Sequence, residues 1–192
     1  MQSLVDDWVA RPGRWFPIMG VTLALGLAWI WVSAVPPEAT TGGQIPSPRE
    51  GFLAPDFTLE LLGGGEVTLS ELRSKGVVIN LWASWCPPCR AEMPAIQQVY
   101  EKAKGRGLAV LAVNTTFQDS ERDAAAFIQE LGLTFLVPLD RDGTVSRQYQ
   151  LRALPSTFFV DREGVIRKVI IGGPMSEATI QTAVEEILEQ DG

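Results

Sequence analysis

Trp85-Cys86-Pro87-Pro88-Cys89 decides how the rest of the chain is read, because it holds the only two cysteines among 192 residues and spaces them for reversible disulfide chemistry. Before it, Val77-Val78-Ile79-Asn80-Leu81-Trp82 is a short, largely apolar run that predicts a buried strand; after it, Arg90 to Lys104 carries helical periodicity. Cys86 therefore falls at a strand-to-helix junction, on a helix N-terminus. The unpaired N–H groups and dipole at such an end favour an anion, so a thiol placed there is expected to have a lowered pKa. Cys86 is thus the expected attacking thiolate, exposed at the helix end. Cys89, one turn further in, is expected to be shielded by the helix and to resolve the mixed disulfide. A C-x-x-C pair is also half of a zinc site, but with no third cysteine and no histidine the ligands are too few.

The helix after the motif places a carboxylate where apolar residues belong. Cys89, Glu92, Met93, Ile96, Val99, Tyr100 and Ala103 recur at three- and four-residue steps and form one core-facing stripe. Burying an ionised carboxylate is costly, so the Glu92 pKa is expected to rise and let the group exchange a proton with Cys89, one turn away. Pro94 is expected to kink the helix just beyond.

Composition narrows the function classes. A net charge of −7 offers no basic footprint for nucleic acid, and the absence of histidine removes Ser-His and Cys-His catalysis. Nearly half the residues, 46%, are apolar, enough for a real core. Residues 15–35 carry no charge and are mostly apolar, long enough for a single transmembrane anchor, and Arg11 and Arg14 precede them while the first charge afterwards is Glu38. The positive-inside rule then puts residues 1–14 in the cytoplasm and the rest outside, on the periplasmic side of the cell membrane. A cleaved signal peptide is the alternative, with Val32-Ser33-Ala34 as a small-x-small site, although the apolar run is longer than a usual signal core. Residues 36–50 read as a flexible linker and 51–192 as the folded domain.

Within that domain, Thr58 to Leu62 and Glu66 to Leu69 around Gly63-Gly64-Gly65 predict a hairpin, and Ser70-Glu71-Leu72 a helical turn. A strand is expected to end at Asn114, and Asp119 or Ser120 to cap a helix through Leu131. Val137 to Asp140 reads as a short strand and Val145 to Tyr149 as a helical turn. Thr157 to Val160 and Val165 to Ile171 predict a final hairpin turned by Arg162-Glu163-Gly164, and Ser176 caps the last helix through Leu188.

Leu81-Trp82-Ala83-Ser84-Trp85-Cys86-Pro87-Pro88-Cys89 resembles the active-site signature of thioredoxin-like proteins. With Ala54-Pro55-Asp56-Phe57 and the hairpin, roughly residues 51 to 190 are similar to the membrane-anchored ResA/TlpA/CcmG (DsbE) thiol-disulfide oxidoreductases. The resemblance implies an α/β thioredoxin-like fold: a central mixed sheet flanked by helices, with an added N-terminal hairpin and a strand-helix insertion. It implies that Leu154-Pro155 is a cis-proline loop facing the cysteines and, with Trp85, contacting a substrate polypeptide; that Glu92 matches a family glutamate; and that Asn80 stands where thioredoxins often keep a buried acid. It also implies reduction of exported disulfides, foremost oxidised apocytochrome c, with electrons from a CcdA/DsbD-type membrane donor and no cofactor. TlpA-like reduction of copper-site assembly proteins and an exported oxidant are the alternatives. Peroxiredoxins carry Pro-x-x-x-Thr/Ser-x-x before their cysteine; Ile79 and Ala83 stand at those positions, which makes a peroxidase distant. A Sco-like copper site would need Cys-x-x-x-Cys and a histidine.

Overall fold

The computed structural model describes residues 15–33 and 45–189, which fall into two units, 1–41 and 42–192. In the first, α1 (Trp15–Ser33) is apolar on all sides, and Met19, Val21, Leu23, Leu25, Leu27 and Trp29 are exposed. Among the described residues no helix is long and apolar enough to cross a membrane. The spanning segment expected over residues 15–35 is therefore not shown: its described part is the helix Trp15–Ser33, about 28 Å at the usual rise per residue against a hydrocarbon core of about 30 Å. Residues 1–14 and 34–44 lie outside the described residues. Part of the stretch expected as linker, 36–50, belongs to the folded unit: Ser47 N–H bonds the Leu53 carbonyl, Gly51 N–H bonds that of Ile166, and Val169 N–H bonds the Glu50 carboxylate.

The second unit is built on a four-stranded mixed sheet of β3 (Gly76–Trp82), β4 (Leu108–Asn114), β5 (Ser156–Val160) and β6 (Ile166–Ile171), in the order β4-β3-β5-β6. The pair β3/β4 is parallel; β3/β5 and β5/β6 are antiparallel. The central strand β3 is buried along its whole length, which is why its sequence is nearly continuous in apolar residues. Its side chains alternate between two cores. Val78 and Trp82 pack with α2 (Pro87–Ala103) and α5 (Glu177–Glu189); Val77, Ile79 and Leu81 pack with Val67, Leu69 and Tyr149 on the other face. Asn80 shares the α2 face with Val78 and Trp82. That placement decides what it meets.

The expected hairpin forms but is shorter, β1 (Thr58–Glu60) against β2 (Glu66–Thr68), because the glycines take Leu61 and Leu62 into the turn. Residues 137–140 make bridges beside β4 rather than the strand expected there; Pro138 cannot donate to a ladder. Ser120 accepts Asp123 N–H and caps α3 (Glu121–Leu131), and Ser176 accepts Thr179 N–H at the start of α5. The short α4 (Thr144–Gln148) begins over the Asp140 carboxylate, which accepts Val145 and Ser146 N–H. Tyr149 then reaches back to the Pro55 carbonyl at 2.7 Å, tying the Ala54–Phe57 opening to the sheet.

Candidate active site

Chain direction puts the C-terminal ends of the parallel strands β3 and β4 side by side, with Trp82 opposite Asn114. Crevices outside such strand ends are the usual binding places of open α/β sheets. From Trp82 the chain turns through Ala83-Ser84-Trp85 and enters α2. Cys86 is its extended N-cap, and Pro87 and Pro88 occupy its first two positions, where a fixed φ costs nothing. Of the first four helix nitrogens, the two prolines carry no hydrogen. Arg90 N–H bonds the Cys86 carbonyl at 3.1 Å, and Cys89 N–H points at Cys86 Sγ at 3.3 Å. Cys86 and Cys89 are joined as a disulfide, so the structure is the oxidised form.

The cysteines differ in access less simply than expected. Cys89 is 0% exposed, whereas Cys86 is also buried, at 3%, rather than standing open at the helix end. Cys86 forms part of the wall of a groove of about 800 Å³. Trp85, Cys86, Pro87 and Pro88 line it together with Phe117 and Gln118 and with Arg147 and Gln150 through Leu154. Trp85 is half-exposed, at 57%, and its indole Nε1 donates to the Gln118 carbonyl, which fixes the ring at the rim. Gln150 holds a left-handed φ of 51°, uncommon for a side-chain-bearing residue and concentrated at functional loops. The Leu154–Pro155 bond is cis, in accord with the resemblance. Leu154 lines the groove, and Pro155 is buried behind it.

Glu92 is fully buried on the inner face of α2, one turn beyond Cys89. Asn80 Nδ2 donates to its Oε1 at 2.9 Å and Met175 N–H to its Oε2 at 3.1 Å. Burial raises the carboxyl pKa, and those two bonds, from Met175 and then Asn80, oppose the rise without cancelling it. Asn80 Nδ2 also donates to Thr157 Oγ1 at 2.8 Å across the β3/β5 pair, while Asn80 Oδ1 is buried with no partner among the described residues. Rotating that amide by half a turn would offer the vacant oxygen to a protonated Glu92, with the Thr157 hydroxyl turning to donate as well. The cluster can therefore serve either protonation state. The helix continues through Pro94.

Two contributors carried no signal of this role in the sequence. Gly173–Pro174 is a second cis bond, and a Cβ on Gly173 would lie 2.7 Å from Glu92 Oε2 and 2.8 Å from Pro155 Cγ. Only glycine lets this loop close over the carboxylate and bring Met175 N–H to it. The other is Asp119, whose Oδ2 accepts Ser84 N–H at 2.6 Å and Asn114 Nδ2 at 2.8 Å, and whose Oδ1 accepts the Ser84 hydroxyl at 2.7 Å. Burial pushes the Asp119 pKa up, but the bonds from Ser84, Asn114 and Ser120 outweigh it and hold the carboxyl below its usual range. An anion so held pins the turn before Cys86 to the end of β4.

Residues 51–169 match the AhpC/TSA family. The thiol-disulfide oxidoreductase ResA of Geobacillus kaustophilus is 38% identical over 137 residues, covering 71% of this chain and 77% of that protein. The thioredoxin-like protein YneN of Bacillus subtilis is 39% identical over 125 residues, 65% of this chain and 72% of that one. Among solved structures, a putative thiol:disulfide interchange protein DsbE from Chlorobium tepidum superposes with a TM-score of 0.67 at 32% identity, over 73% of this chain and 98% of that one.

Proposed function

Because this chain belongs to the AhpC/TSA family, and to its thioredoxin-like thiol-disulfide oxidoreductases in particular, we propose that it is a reductant of disulfides in exported proteins, foremost oxidised apocytochrome c. In this reading the Cys86 thiolate attacks one sulfur of the substrate disulfide from the groove and expels the other as a thiolate, which takes a proton from water. The Cys89 sulfur then attacks Cys86 Sγ, its proton passing to Glu92, and the substrate leaves carrying two electrons while Cys86–Cys89 closes. A peroxidase is the distant alternative, because the position that supplies the Thr or Ser hydroxyl of peroxiredoxins is here the buried Ala83.

The observation that carries the direction of electron flow is the sparse hydrogen bonding of Cys86. A strongly stabilised thiolate favours the reduced form and makes an oxidant. Here Pro87 and Pro88 cannot donate, no histidine is present, and the Cys89 N–H at 3.3 Å is the donor observed. The expected potential is nearer thioredoxin, about −270 mV, than DsbA, about −120 mV. Equilibration of the Cys86–Cys89 couple against glutathione and dithiothreitol buffers measures it. A value near that of DsbA would reverse the assignment. A low value with normal c-type cytochromes in a deletion strain would leave the reductase in place and point to TlpA-like copper-site substrates.

The apolar, exposed α1 is the part that would hold the domain beside a CcdA/DsbD-type membrane donor, with Arg11 and Arg14 on the cytoplasmic side. Protease added to spheroplasts is expected to digest the catalytic domain and spare the N-terminus. A protected domain would exclude this topology.

A further inference from the structure

The groove beside Cys86 is basic in a protein that is otherwise acidic. None of the residues that line it is Asp or Glu; its two charged members are Arg147 and Arg152, against a net charge of −7 for the chain. Arg147 is committed, with Nη1 on the Asp142 carbonyl and Nη2 on Thr144 Oγ1. The Asp142 carboxylate beside it is turned onto Thr144, accepting its N–H and hydroxyl. Arg152 is different. It is exposed, and among the described residues it makes no hydrogen bond or ion pair. It stands two residues before the Leu154–Pro155 bond and lines the same groove as Trp85 and Cys86, where Trp85 and Phe117 add exposed apolar surface.

We infer that this groove selects polypeptide disulfides flanked by acidic side chains, with Arg152 as the specificity-determining residue. The inference rests on the reading of the site as one that reacts with protein disulfides. A chain laid along Ala153–Pro155 with one of its sulfurs at Cys86 places the residues beside its cysteine against Arg152. An Asp or Glu there gains a partner whose charge is otherwise unmatched, and a Lys or Arg meets two like charges. Because the guanidinium is exposed, the preference is modest and falls with salt.

The test uses three synthetic peptides with one internal disulfide and the same core, flanked by Glu, Ser or Lys pairs. Second-order exchange constants are measured in both directions, at low salt and at about 0.5 M salt, where the screening length is only a few ångströms. Each constant is divided by that of the Ser-flanked peptide on the same protein, so a general loss of activity cancels. The Glu-flanked peptide is expected to react roughly fivefold faster than the Lys-flanked one at low salt, converging at high salt. Arg152→Glu should reverse the order, and Arg152→Gln should bring the two toward parity. An equal Glu-to-Lys ratio in wild type and Arg152→Glu, or a ratio that salt leaves unchanged, would overturn the inference. Reading both directions separates this from the reductant proposal: net flow toward peptide disulfide formation sinks that proposal, while the charge ratio is still measured.

Discussion

Cys86→Ser is expected to lose disulfide exchange with any polypeptide by roughly 10⁴-fold or more, because it deletes the attacking atom rather than weakening it. Cys89→Ser is expected to lose turnover just as fully but to accumulate a covalent adduct with its substrate. The asymmetry follows from position. Cys86 belongs to the groove wall, so a substrate sulfur can reach it, while Cys89 is fully buried in the core and absent from that wall, bonded to the Cys86 sulfur. Without Cys89 nothing attacks the mixed disulfide from within, and it persists until an outside thiol releases it. Incubating each variant with an oxidised peptide and weighing the products distinguishes the roles: a peptide-sized mass gain on Cys89→Ser, none on Cys86→Ser. Adducts of equal yield on both would remove the division of labour. In wild type, alkylation of the reduced protein should favour Cys86 over Cys89 by a wide margin, although the 3% exposure of Cys86 in the disulfide form moderates its absolute rate.

What could be read from the chain in one dimension was whatever depended on neighbours in sequence. The run from Val77 to Trp82 is apolar because β3 is covered on both faces, and the three- and four-residue spacing from Cys89 to Ala103 carried Glu92 into the core with it. The Cys86–Pro87–Pro88–Cys89 cap is local as well, so its hydrogen bond was foreseeable from the two missing N–H groups. The parts that were not legible are set by tertiary approach. Asp119 looks like one more helix-capping candidate until the parallel register of β3 and β4 delivers Ser84 to it. Gly172-Gly173-Pro174-Met175 reads as an ordinary turn; that its backbone closes on Glu92 depends on a helix more than eighty residues earlier. Cys86 was expected in the open because a helix N-terminus usually is. The groove it lines is shared with residues 117–118, 147 and 150–154, which no local pattern brings there.

Glu92→Gln is expected to slow the step that uses Cys89 by roughly 10²-fold near neutral pH, the lower end of what a positioned proton acceptor contributes, and to remove its dependence on pH. Cys89 is fully buried, so the proton on its sulfur has no direct route to water, and Glu92 follows it by one turn on the same buried face. The substitution keeps the shape. It replaces one acceptor oxygen by an N–H₂, which would face Asn80 Nδ2, but the unpartnered Asn80 Oδ1 can rotate into place and accept from it. Stability gives a second readout that chemistry alone does not move. Burial raises the carboxyl pKa in the folded state above its unfolded value, so the native protein binds the extra proton across the interval between the two. Wild-type stability contributed by this group therefore falls as pH climbs through that interval and stays low above it, where an ionised carboxylate is held in the core. Denaturant unfolding of wild type and Glu92→Gln, repeated from pH 4 to pH 8, should show the variant gaining on wild type as pH rises. A constant difference, together with an unchanged pH profile of exchange, would return Glu92 to a purely architectural part in the contact between α2 and the Gly173 loop.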